Sequence, residues 1–438
     1  MKSEAYQKCI DPTCGLEYPI SDIRIECEKG HLLDVKYRII PHTSLKEVFY
    51  KRRNHSNNIF NESGVWRFRE LLNFCQIDTE SIEQCSKYLV SLDGAEGRLS
   101  KPYHMSKVSD YVGVHNLWLQ PEGYNPSGSF KDNGMTTAVT HAKLVKIKKI
   151  ICASTGNTSA SAAMDMECDV YIPAGEVAPG KLGQAFQFGA QVVEVQGNFD
   201  DALSTSLKQA SEVGGYTVNS VNPFRIEGQK TIIFRALESL DWNPPDWIVY
   251  PGGALGNTSS CGKCLMELYE WEWIKKIPRL AVVNSDGANT LYNLYNGKFE
   301  NSELRWNKGK PDTNLIKRYY EYVDKHGIRP KTKATAIQIA KPANILKGLR
   351  ALEFTNGVVT QVSDSEMLDG MALVGLNGFD CEMASGAVPA GVKKLLEEEI
   401  IKKDDTVIGI LTGRQKDSSI PVEYHKNPQN RFANPPRT

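Results

Sequence analysis

The sequence predicts an α/β protein, with two open parallel or mixed sheets under covering helices and a small cysteine-containing module at the N-terminus. Three observations predict it. Short apolar runs rich in β-branched residues alternate with longer amphipathic stretches, the pattern of parallel strands joined by helices. Several runs end in Gly, Ser, Thr or Asn and pass straight into a helical stretch. The first forty-odd residues differ from the rest, with Cys9, Cys14, Cys27 and His31 set among Gly15, Pro19 and Gly30.

That N-terminal segment reads as a small ribbon in which three thiolates and one imidazole could hold zinc. Four residues separate Cys9 from Cys14 where two are usual, so a hairpin module without metal is the expectation and zinc on these four residues the alternative. Residues 43–90 read as mainly helical, and the aromatic residues near helical spacing in 64–72 as core. Strands are expected at 116–119, 149–153, 170–173, 190–195, 247–250, 280–283 and 406–411, and amphipathic helices at 201–213 and 260–275. The polar tail from Tyr424 is expected to be poorly ordered.

With 438 residues the chain can hold two domains. Its 52 Lys and Arg balance its 52 Asp and Glu. Nothing in its charge therefore draws it to nucleic acid or an anionic membrane. No stretch is long and apolar enough to span a bilayer. The polar N-terminus has no signal-peptide character, so a cytoplasmic location is expected. Cys75, Cys152 and Cys168 lie in apolar runs, as reduced buried thiols do.

Three turns between strand and helix carry the chemistry. The first, Asn125-Pro126-Ser127-Gly128-Ser129-Phe130-Lys131-Asp132, sets a lysine at a helix start, shielded from water and near the positive helix end. Both effects favour a free amine able to attack an aldehyde. The alternative is a solvated surface lysine. The second, residues 153–163, delivers Ser154, Thr155, Gly156 and Asn157 to a helix N-terminus, where an amide can reach a phenolic oxygen; a plain helix cap is the alternative. The third, Pro251-Gly252-Gly253-Ala254-Leu255-Gly256-Asn257, has three glycines that let the backbone close around a phosphate. Amine, amide and phosphate cradle together match the needs of pyridoxal 5′-phosphate. Thr412, after the last strand, offers a neutral hydroxyl to the pyridine nitrogen.

These segments resemble the threonine synthase family, pyridoxal-phosphate enzymes of the tryptophan-synthase-β fold type (fold type II). The likeness runs from about residue 45 to 425. It rests on Gly123-Tyr124-Asn125-Pro126-Ser127-Gly128-Ser129-Phe130-Lys131-Asp132, on residues 152–163, on Gly197-Asn198-Phe199-Asp200-Asp201-Ala202-Leu203, and on the long string Asn219-Ser220-Val221-Asn222-Pro223-Phe224-Arg225-Ile226-Glu227-Gly228-Gln229-Lys230-Thr231. Cys381-Glu382-Met383-Ala384-Ser385 and Leu411-Thr412-Gly413 add to it, and the N-terminal cysteine module resembles one seen in some members. The resemblance implies that Lys131 is the Schiff-base lysine and moves protons during catalysis. It places Asn157, Gly252, Gly253, Ala254, Leu255, Gly256, Asn257 and Thr412 on the cofactor, and Ser154, Thr155, Ser220 and Arg225 on the substrate. For Arg225 the structural alternative is a salt bridge to Glu227 or another carboxylate. The implied reaction turns O-phospho-L-homoserine and water into L-threonine and phosphate in a homodimer. The implied domains are a module at 1–45, a large cofactor domain at 46–134 and 226–438, and a small α/β domain at 135–225.

Some residues depart from the family pattern. Ala254 stands where Asn is usual, which removes one hydrogen bond to the substrate's phosphate, worth about 1.5–3 kcal/mol. The motif at 412–417 is one residue short and lacks its His-Gly pair. Residues 93–99 replace the usual Gly-Glu-Gly-Asn-Thr-Pro-Leu, Asn133 replaces a common Arg, and the helix after Asn157 is about a turn short. Cofactor contacts survive better than substrate contacts, so a paralogue doing β- or γ-replacement or elimination on another activated amino acid is the second expectation. A non-catalytic protein that binds pyridoxal phosphate or an amino acid is a third. A redox or metal role for Cys261-Gly262-Lys263-Cys264 is set against simple packing behind the phosphate loop.

Overall fold

A computed structural model describes residues 5–55, 58–74, 88–91, 94–175, 179–197, 199–297 and 313–433. Contacts divide the chain into two compact units, 1–100 with 124–238 and 101–123 with 239–438. This division falls elsewhere than the implied domain limits. It keeps whole the helix Lys131–Leu144 and all but the last residue of the helix Pro223–Ser239, whereas limits at 134 and 225 fall near the start of each.

The first unit holds two sheets. β1 (Ala5–Cys9), β2 (Glu17–Pro19) and β3 (Leu33–Tyr37) form an antiparallel sheet in the order β2-β1-β3. β6 (Lys149–Ala153), β7 (Glu167–Pro173), β8 (Gln191–Val195) and β9 (Tyr216–Thr217) form a parallel sheet in the order β8-β7-β6-β9. The helix after β6 runs only from Asn157 to Ala162 before β7 begins, short as expected.

The Lys131 and Pro223 helices of this unit cross closely at two glycines. A Cβ on Gly134 would stand 2.7 Å from the Arg225 carbonyl oxygen, and one on Gly228 would overlap the Asn133 carbonyl oxygen and Thr137 Oγ1. Only the missing side chains allow this approach. Thr137 Oγ1 adds a hydrogen bond to the Phe224 carbonyl, 2.8 Å.

The second unit is built on one sheet of six strands in the order β12-β11-β10-β13-β5-β4. These are β4 (Tyr103–His104), β5 (Asn116–Pro121), β10 (Trp247–Pro251), β11 (Arg279–Ser285), β12 (Val358–Val362) and β13 (Thr406–Leu411). All pairings are parallel except β4 with β5. β10 is buried along its whole length, as a parallel strand covered on both faces must be. Gly409 in β13 lets the helix Met383–Glu397 sit close, because a Cβ there would stand 2.7 Å from Leu119 and overlap Val388.

The expected strands are all present. β4, β9 and β12 were not anticipated, being short or partly polar. The helix expected at 260–275 runs instead from Gly256 to Glu270. The tail is ordered further than expected: a helix spans Ser419–Lys426, and buried Tyr424 donates to Asp369 Oδ1 at 2.5 Å. Cys152 and Cys168 are buried free thiols, and Cys75 lies outside the described residues. Among the described residues no helix is long and apolar enough to cross a membrane.

Candidate active site

The site residues expected from the sequence fall into two sets, one in each unit. In the first unit, Lys131 opens its helix half-buried, with Nζ 4.0 Å from the centre of the Phe130 ring. The turn before it is held by Asp132, whose carboxylate accepts the Ser127 N–H at 2.7 Å and the Ser127 hydroxyl at 2.6 Å. Gly128 takes a left-handed conformation (φ +84°) that lets the chain double back. Asn125 Oδ1 accepts the Gly97 N–H at 2.7 Å, so the unusual segment 93–99 is fastened to the lysine turn. A solvated surface lysine is therefore not what the fold presents.

The Asn157 turn leaves the C-terminal end of β6, and the Ser220–Arg225 segment leaves that of its neighbour β9. Ligands gather at such edges of parallel sheets. Ser154 Oγ accepts the Gly156 N–H at 3.3 Å, and Thr155, Asn157 and Ser220 are half-buried. The helix cap is Gly156, without a side-chain bond, so the turn's hydroxyls are not simple caps. Asn219 clamps the two segments together, accepting the Ala153 N–H (3.0 Å) and donating to the Ala153 carbonyl (2.9 Å). Asn222 caps the following helix through the Phe224 N–H at 2.9 Å, with Pro223 at the first helical position.

Arg225 is fully buried and does not pair with Glu227, contrary to the structural alternative. Glu227 is taken by Lys230 at 2.7 Å and by the Tyr37 hydroxyl. Arg225 gives one hydrogen bond, Nη1 to the Val218 carbonyl at 3.0 Å, and its Nε and Nη2 have no partner among the described residues. Burial pulls its pKa down to about 10, against the pull of Cys152 and Asp132. Two bare donors on a buried cation are costly, and an anion would satisfy both.

Glu96, in the unusual segment, is buried with Oε2 unbonded among the described residues. Burial pushes its pKa from 4.5 up to about 8, helped by the nearby Asp132. The fold thus favours the protonated acid. Its stability is fully present below pH 4.5 and is lost as the pH rises through about 8, by on the order of 3–5 kcal/mol. Glu96→Gln is expected to remove most of that loss. Urea midpoints at pH 5 and pH 8 test this, and equal pH dependence in variant and wild type would refute it.

In the second unit, β10 and β13 are parallel neighbours, so residues 252–257 and Thr412 leave the same sheet edge. The glycines do not act as expected in the phosphate turn. The left-handed position is Leu255 (φ +63°), while Gly252 serves packing: a Cβ there would stand 2.6 Å from Asn284 Nδ2 and 2.7 Å from Val282. Asn284 holds the turn by donating to the Gly252 carbonyl at 2.8 Å. Strain at a non-glycine residue in such a turn is typical of ligand sites. Ala254 and Gly253 are half-buried, and the Ala254 carbonyl accepts the Asn344 N–H at 3.2 Å. Thr412 Oγ1 donates to Glu382 Oε1 at 2.9 Å and lies 3.2 Å from Ser385 Oγ. Its proton is committed, which leaves the oxygen as an acceptor. Cys261 and Cys264 are fully buried in the Gly256 helix, and burial raises the Cys261 pKa, so they pack and are not activated thiols.

Asp132, Asn219, Asn284, Glu382 and Ser385 thus position the expected residues. The sequence assigned them no role, although all but Asn284 lie within the strings that carry the resemblance.

Buried polar atoms show whether pyridoxal phosphate suits these residues. Asn257 Oδ1 and Nδ2 and Thr258 Oγ1 are buried without partners among the described residues, in the first turn of a 15-residue helix. Asn257 Nδ2 and Thr258 Oγ1 are donors, and bare donors at the positive end of a long helix fit a phosphate.

Known proteins agree with this chemistry. Residues 100–413 match the family described as pyridoxal-phosphate dependent enzyme. The threonine synthase of Methanocaldococcus jannaschii is 34% identical over 429 residues, covering 96% of this chain and 95% of that protein. That of Bacillus sp. (strain ULM1) is 40% identical over 327 residues, covering 73% and 83%. The solved threonine synthase from Escherichia coli shares the fold, with a TM-score of 0.64 over 95% of this chain and 90% of that one at 14% identity. Matched along nearly its full length by relatives of this identity, the chain belongs to the threonine synthase family of pyridoxal-phosphate-dependent lyases.

Proposed function

We propose that this enzyme converts O-phospho-L-homoserine and water to L-threonine and phosphate. The observation that carries the reading is Arg225: a buried guanidinium with two donors unbonded among the described residues, five positions after Ser220 in the string that carries the family resemblance. The substrate's phosphate has the charge and geometry that such a fork accepts. Residues 252–258 would hold the cofactor's phosphate, Asn157 its phenolic oxygen and Thr412 its ring nitrogen, while Ser154 and Thr155 would orient the substrate. Held through Lys131, the cofactor would supply an electron sink for negative charge developing at the amino-bearing carbon. Lys131, at the helix start, carries protons to and from the substrate's carbon chain. A cytoplasmic homodimer acting on a small amino acid, without nucleic acid or membrane partners, completes the reading.

Arg225→Lys keeps the charge but loses the fork. It is expected to lower kcat/KM by about 10- to 150-fold, chiefly through KM, and to weaken inhibition by inorganic phosphate. Unchanged KM and unchanged phosphate inhibition would make Arg225 a core cation.

Ala254 favours a second reading, in which another activated amino acid is the substrate. The test is an assay with O-phospho-L-homoserine that follows both phosphate and amino-acid product. Lys131-dependent threonine formation supports the first reading. A protein that binds the cofactor through Lys131 yet releases neither product supports the second.

A further inference from the structure

The N-terminal sheet brings four metal-ligating side chains together. Cys9 ends β1, Cys14 follows on the loop, and Cys27 and His31 flank the turn before β3. Their ligand atoms all lie within 4.8 Å of one another. Cys9 Sγ is 3.5 Å from His31 Nδ1, and Cys14 Sγ is 4.0 Å from Cys27 Sγ. A tetrahedral zinc ion would set sulfur and nitrogen about 3.6 Å apart and two sulfurs about 3.8 Å apart.

The local backbone explains the convergence. The Cys9 N–H bonds to the Leu16 carbonyl (3.0 Å) and the Cys27 N–H to the His31 carbonyl (2.8 Å), so each pair straddles a closed turn. Gly15 (φ +68°) and Gly30 (φ +76°) supply the left-handed steps. The four residues between Cys9 and Cys14, the spacing that counts against a ribbon in the sequence, are taken up by a turn. Asp11 Oδ1 there accepts the Thr13 N–H at 2.8 Å and its hydroxyl at 2.7 Å. Asp11 Oδ2 also faces His31 Nε2 at 3.7 Å. The ring thus offers Nδ1 to the thiols and turns its other nitrogen to a carboxylate, as metal-bound histidines do.

We propose that Cys9, Cys14, Cys27 and His31 Nδ1 bind one zinc ion in a closed structural site. Three thiols release their protons to solvent as the ion binds, with no change of oxidation state. The site is remote in sequence from the lysine turn and serves the fold. The module rests on the helices that begin at Lys131 and Pro223. His141 Nε2–H donates to the Ile20 carbonyl (2.5 Å), while Nδ1 accepts from the Tyr216 hydroxyl (2.6 Å). Tyr37 donates to Glu227, and Lys230 Nζ lies 5.0 Å over the Tyr37 ring.

The test uses the full-length, cofactor-loaded enzyme purified under reducing conditions. Elemental analysis is expected to find about one zinc per chain, and a mercurial reagent to release it with a colorimetric chelator present. Cys27→Ser is expected to lose the metal. Because that variant may not fold, the wild type stripped of metal and refilled with cobalt(II) gives an independent readout: intense visible bands and sulfur-to-metal charge transfer of a tetrahedral thiolate site. His31→Cys should keep the metal and shift those bands. Zinc missing even after reconstitution, weak octahedral cobalt bands, or a Cys14–Cys27 disulfide in the native protein would each overturn the proposal.

Discussion

Replacing Lys131 by alanine is expected to lower turnover by at least about 10⁴-fold, because in the proposed reaction one side chain would both anchor the cofactor and move the protons. The loss should not come from unfolding. Lys131 is the first residue of a helix, a position alanine fills without strain. The variant should keep its melting temperature and lose the absorbance of the lysine-bound cofactor, while pyridoxal phosphate still binds reversibly through residues 252–258. Lys131→Arg separates charge from nucleophilicity and should be as inactive as the alanine variant. Retention of more than about 1% of wild-type turnover by either variant would remove Lys131 from the centre of the chemistry.

A methyl group at Gly228 is expected to have the largest effect on stability. Its Cβ would overlap the carbonyl oxygen of Asn133, a backbone atom within the Lys131 helix that cannot swing aside. The helices must part, at a cost of about 3 kcal/mol or more. For a unit of this size that is a fall of about 6–12 °C in Tm. Gly375→Ala is the matched control, since no atom lies within 4 Å of a Cβ there. Activity should fall with stability in Gly228→Ala, because the parted helices carry Lys131 and Arg225 at their first turns. Equal melting temperatures in variant and control would mean that the two helices do not cross as closely as Gly228 requires.

Much of the framework was legible in the sequence because it is locally encoded. A run such as Lys149-Ile150-Ile151-Cys152-Ala153 carries its strand signal in consecutive side chains, and it forms β6 with those same limits. The turns after β6, β10 and β13 announce themselves by small and polar residues at the ends of apolar runs. Other elements were less visible. Val358–Val362 has Thr and Gln within it, and it is a strand because β11 pairs with it along five residues. At the phosphate turn the glycines suggested freedom of the backbone. In the fold Gly252 is needed for lack of a side chain beside Asn284, and Leu255 takes the strained position.

By itself the sequence determined the alternation of strand and helix, the lysine at a helix start, the three turns and their order, and hence the family and its cofactor. These depend on residues near one another in the chain, where propensity and periodicity act. Only the tertiary structure decided the partners. Asn219 clamps Ala153 across 66 residues, and Thr412 gives its proton to Glu382 across 30. Glu227 turns to Lys230 and Tyr37, two donors of Arg225 stay unbonded among the described residues, and four ligands of unpromising spacing meet around one point. Which polar group meets which is set by strand register and helix packing, and these follow from the burial of the whole chain.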